Sequence, residues 1–150
     1  RGQTPVIQET FGWKSLSMIG GLALYRFFFQ IHPESIKGPQ IVEFLRHLQR
    51  HVPGKLTVVW DGAPIQRSRL VQDYVAGTAG RILVERLPAY APELNPVEYM
   101  WGNLKTHQIG NLIATQAWDL SMQATAALRR MRRRPTIIAA CYKQSRLWPE

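Results

Sequence analysis

The chain has 150 residues, 45% hydrophobic and 19% charged, with a formal net charge of +9. That balance excludes a disordered chain and gives at most one domain with a real core, while a lone cysteine, Cys141, excludes an internal disulfide framework. The basic excess points to a polyanionic partner, and the longest apolar run, Leu16 to Leu24, is broken by Ser17, Gly20 and Gly21 and falls short of the roughly 20 residues that span a bilayer.

The opening RGQTPVIQETFGWKS has the character of a loop and strand edge. Leu16 to Leu24 and Tyr25 to His32 are rich in aliphatic and aromatic residues, predicting two adjacent antiparallel strands, with Gly20 and Gly21 marking a bulge or the turn. Phe27, Phe28 and Phe29 cannot face one way, so this hairpin is expected to be buried on both faces. After the loop HPESIKG, Ile41, Phe44, Leu45 and Leu48 recur at helical spacing from Pro39 to about Arg50. Pro53 and Gly54 end that helix.

Leu56 to Trp60 reads as a short buried strand that delivers Asp61 to a turn containing Gly62 and Pro64. A carboxylate at the carboxyl end of a strand sits where ligands approach an open sheet, although Asp before Gly also simply initiates turns. Arg67 to about Ala76 reads as a helix stopped at Gly77, and Arg81 to Glu85 as another strand. Strand, helix, strand predicts a parallel pair with a right-handed crossover.

The segment LPAYAPELNPVEYMWGNLK, Leu87 to Lys105, is a proline-punctuated loop followed by an abrupt helix. Asn95 is a favoured N-cap, Pro96 suits the first helical position, and Glu98 falls at the third, where it can close a capping box. Val97, Trp101 and Leu104 share a face, which assigns Trp101 to the core. Lys105 lies seven residues beyond Glu98 on a neighbouring face. Tyr90, in the loop, is either a contact residue or a cover for the sheet.

Beyond this helix the chain turns strongly basic, with eight Lys and Arg against Asp119 and Glu150 from residue 101 to the end. Leu112 to Leu128 and Ile137 to Trp148 read as helices packed against a sheet edge. Between them RRMRRR supplies Arg129, Arg130, Arg132, Arg133 and Arg134. Such a run suits a helix C-terminus, but five guanidinium groups in six positions exceed capping needs and match phosphate geometry. His32, His47, His51 and His107 show no spacing that suggests a metal site, and Cys141 reads as a small buried residue.

VVWDGAP around Asp61 and LPAYAPELNPVEYMWGNLK around Glu98, 37 residues apart, resemble the DDE transposases of bacterial insertion sequences related to the mariner group. The likeness covers most of residues 1 to 105. It implies an α/β fold, an RNase H-like mixed sheet with flanking helices, which the basic helical C-terminal part from about 106 to 150 follows. It also implies that Asp61 and Glu98 are the second and third acidic residues of a catalytic triad. They would hold Mg²⁺ or Mn²⁺, with Lys105 and the five arginines on double-stranded DNA, both transposon ends and target.

Two ions roughly 3.5 to 4 Å apart stabilise both the attacking and the leaving oxygen in phosphoryl transfer, and carboxylates on separate elements suffice to hold them. The resemblance assigns that chemistry to strand cleavage and then strand transfer, in a bacterial, nucleoid-associated protein that acts as a homodimer. The family's first acidic residue precedes the segment that RGQTPV resembles, so it is expected before Arg1. Glu9 and Glu34 lie outside the motif and do not replace it. Residues 1 to 150 are therefore expected to be a fragment lacking its first strand and not to cleave DNA alone, and a catalytically inactive basic DNA-binding remnant is the alternative reading. Gln66 stands where relatives often carry His.

Overall fold

The computed structural model describes residues 9–11, 14–23, 25–108 and 117–146. In chain order the elements are β1 (Glu9–Phe11), β2 (Lys14–Ala23), β3 (Arg26–His32), α1 (Gly38–His51), β4 (Leu56–Trp60), α2 (Arg69–Ala76), β5 (Ile82–Arg86), α3 (Pro96–Asn103), α4 (Ala117–Arg132) and α5 (Pro135–Ser145). They fall into two compact units. One spans Ile36–Pro92, and the other joins the described residues up to Ser35 to those from Glu93 onward.

The second unit holds an antiparallel sheet in the order β1, β2, β3. Its hairpin closes where Ala23 pairs with Arg26, not at the glycines, because Gly20 and Gly21 pair with Phe29 and Phe28 in mid-strand. Gly20 is there for another reason. A β-carbon on it would stand 2.7 Å from the Trp101 ring, so the strand must be bare for α3 to pack against it. The core is built from Met18, Phe27, Met100, Trp101, Leu104, Leu128, Met131 and Ile138. Phe27 and Phe28 are both buried from adjacent positions, as a hairpin covered on two faces requires. Cys141 is buried here, and desolvation pushes its thiol up to about 11.

On α4, Trp118 and Met122 are 61% and 63% exposed while Leu120, Ala124, Ala127 and Leu128 form its inward stripe. The cause is helical phase: 120, 124, 127 and 131 recur at three and four residues, and 118 and 122 fall off that face. Ile113 and Trp148 lie outside the described residues.

The first unit is a β4–α2–β5 crossover with β4 and β5 parallel, Leu56 to Trp60 in register with Ile82 to Arg86. Ile41, Phe44, Leu45 and Leu48 are buried along α1, as their spacing predicts. A 3₁₀ turn, Pro64–Arg67, precedes the shorter α2, so the helix expected from Arg67 begins two residues later. Gly77 caps α2 in ordinary helical geometry, and the left-handed residues that turn the chain towards β5 are Ala79 and Gly80. Strand β4 is half-buried rather than buried. Val59 and, on β5, Leu83 are about half exposed, so only the face carrying Leu56, Val58, Ile82 and Val84 is sheltered.

Candidate active site

Asp61 leaves the carboxyl end of β4 and enters a tightly specified turn. Its Oδ1 accepts a hydrogen bond from the Ala63 N–H at 3.2 Å, the local bond of an Asx turn. Gly62 takes a φ of +76°, open to glycine at no steric cost, and its N–H donates to Gln66 Oε1 at 2.9 Å. Gln66 closes the loop by donating its own N–H to the Ala63 carbonyl, 3.0 Å away. The side chain of Gln66 is 3% exposed, so the turn is braced from inside.

The turn-initiating role of Asp61 therefore occupies one oxygen only. Oδ2 is buried with no hydrogen-bond partner. A buried carboxylate oxygen without a donor is costly, and a hard cation, which takes oxygen ligands, is a chemical fit to it. Among the described residues no three His, Cys, Asp or Glu side chains gather as a metal-binding group.

Glu98 is reached through the loop after β5. Tyr90 there has a φ of +61° and is 82% exposed, so it does not cover the sheet. A 3₁₀ turn, Pro92–Leu94, leads to Asn95, whose buried side chain accepts from the Val97 N–H at 3.2 Å and caps α3. Glu98 follows half-buried in the first helical turn, where the helix dipole favours an anion. Val97, Trp101 and Leu104 are buried along α3, so Trp101 is a core residue and not a stacking platform. Lys105 lies, exposed, in a π-helical turn, Leu104–Gln108. Asp61 belongs to the first unit and Glu98 to the second.

All five arginines of the run are exposed. Arg129, Arg130 and Arg132 occupy the last turn of α4, which satisfies the dipole, and Arg134 precedes α5. Arg132 also lies 5.7 Å over the Phe29 ring, a cation–π contact that anchors it to the sheet. The His47 and His51 rings lie 4.3 Å apart on α1, and His51 Nδ1 lies 2.8 Å from the His47 carbonyl, a contact within one helix and not a metal site. Helical spacing of four carried that signal. The bracing role of Gln66 had none, because an interior glutamine bonded to a turn four residues back has no pattern of its own.

A family model described as DDE superfamily endonuclease matches residues 1–118. Among solved structures, the catalytic domain of Mos1 mariner transposase is similar at a TM-score of 0.60 and 16% identity, covering 97% of this chain and 81% of that one. The same catalytic domain with Raltegravir and Mn gives 0.59 at 17% identity, covering 97% and 83%. A Mos1 paired-end complex with left transposon end gives 0.56 at 18%, covering 87% and 44%. At these identities the likeness establishes the fold, a mixed α/β RNase H-like arrangement. No curated protein sequence matches the chain. Among the described residues no helix is long and apolar enough to cross a membrane.

Proposed function

The chain belongs to the DDE superfamily of endonucleases, and on that premise we propose that Asp61 and Glu98 are two carboxylate ligands for divalent ions in DNA strand cleavage and strand transfer. The observation that carries the reading is the buried, partnerless Oδ2 of Asp61 at the carboxyl end of β4. Bound Mg²⁺ or Mn²⁺ would polarise the scissile phosphate and neutralise charge on the attacking and leaving oxygens.

The chain's own residues do the rest. The Ala63 N–H holds one oxygen of the Asp61 carboxylate and Gln66 braces the turn around it, leaving the second oxygen to a cation. Asn95 fixes the start of α3, and so the position of Glu98. Lys105, Arg129, Arg130, Arg132, Arg133 and Arg134 take duplex phosphates, positioning DNA without reading its sequence. The partner is double-stranded DNA, transposon end and target, with a second copy of the chain completing the assembly.

Calorimetric titration with Mn²⁺ tests the ligand assignment. Asp61→Asn and Glu98→Gln should each weaken binding at least about tenfold, the size of effect a lost ligand contact gives. Unchanged Mn²⁺ affinity in both variants sinks it. The binding-only alternative is favoured by the lack of a three-residue ligand cluster among the described residues. It predicts duplex binding by the wild-type chain that does not respond to Mn²⁺.

A further inference from the structure

Arg86 ends β5 in register with Trp60, immediately before Asp61, and the Leu87 N–H donates to the Trp60 carbonyl at 2.8 Å. The two strands thus deliver an arginine and an aspartate to the same end of the parallel pair. The Arg86 stem lies across Gly62: a β-carbon there would meet Arg86 Cδ at 3.4 Å, Cγ at 3.8 Å and Nε at 3.9 Å. Arg86 is exposed.

Among the described residues neither Asp61 nor Arg86 takes part in an ion pair within 4.0 Å. Asp61 Oδ2 meanwhile is buried without a partner. An unpartnered carboxylate oxygen and an exposed guanidinium outside any ion pair, delivered to the same end of two parallel strands, suit a ligand that brings a cation to the acid and an anion to the base.

We propose that Arg86 binds a phosphate of duplex DNA at the strand end it shares with Asp61, as a positioning residue for the DNA strand. The assignment rests on the function proposed above and adds to it the anion-binding half of the site. A guanidinium offers two parallel donors to phosphate oxygens. Its stem, laid along a residue with no side chain, reaches the rim without a helix or loop to carry it.

Binding of a fluorescein-labelled 30-base-pair duplex, followed by anisotropy with Mn²⁺ over a range of NaCl concentrations, tests this. Arg86→Gln keeps the stem over Gly62 and removes the charge; it should weaken binding about threefold to tenfold and lower the salt slope by about one. Arg86→Lys should keep the slope. If wild type binds duplex and Asp61→Asn abolishes the Mn²⁺ response, but Arg86→Gln matches wild type in affinity and slope, Arg86 has no such role and the wider function stands. If wild type does not bind duplex at all, the wider function falls and Arg86 with it. A measurement that needs no variant is mass-spectrometric mapping of phenylglyoxal modification: duplex should protect Arg86, and modification at the same rate with and without DNA overturns the proposal.

Discussion

Gln66 shows how much a single interior amide can decide. Its Oε1 is the acceptor for the Gly62 N–H, at the residue that follows Asp61. Gln66→Ala leaves that donor without its partner in a partly buried turn, at a cost of about 1–3 kcal/mol. We expect a lower urea midpoint together with weaker Mn²⁺ binding, because the carboxylate loses the brace that aims it. Equal loss of stability with untouched Mn²⁺ affinity would reduce Gln66 to a fold residue. The place of Asp61 at the end of a strand was legible from the strand-to-turn transition in VVWDGAP. That one of its oxygens serves the turn and the other serves nothing in the protein was not legible, since both roles use the same residue type at the same spacing.

At the scale of elements, every strand and helix anticipated within the described residues is present, and the parallel crossover of β4 and β5 follows the expected order. Boundaries moved where backbone effects outweighed side-chain pattern. Pro64 drew residues 64–67 into a 3₁₀ turn, and the Gly20–Gly21 pair stayed inside a strand because a tryptophan needed the space. The latter contact yields a test. Gly20→Ala places a methyl against the Trp101 ring at 2.7 Å, and overpacking of a tight core costs roughly 1–3 kcal/mol. Thermal unfolding should show a lowered Tm for this variant, whereas Gly102→Ala, where a β-carbon meets nothing within 4 Å, should be neutral or stabilising because alanine is the better helix former. Equal Tm values for the two would contradict the packing described.

Across the whole molecule the charge of +9 is unevenly placed, and the arginine run is its densest part. Electrostatic binding to duplex releases counterions, so affinity should fall steeply with salt. Replacing Arg129, Arg130, Arg132, Arg133 and Arg134 together by Gln should flatten the salt slope by about three to five and weaken binding by at least tenfold at moderate salt. Arg132 should contribute least, being held over Phe29. An unchanged slope would leave the run a solvated helix end. The sequence announced the run plainly, but not that one member is engaged with the sheet, since a ring contact across a fold has no trace in local spacing.

The bare notch at Gly20 reaches further than packing. Trp101, seated in it, lies on the same short helix as Glu98, less than one turn away, so the hairpin acts as a gauge that sets how that acid is presented. Under the ligand role proposed for Glu98, a substitution at Gly20 should therefore alter ion affinity as well as weaken the fold.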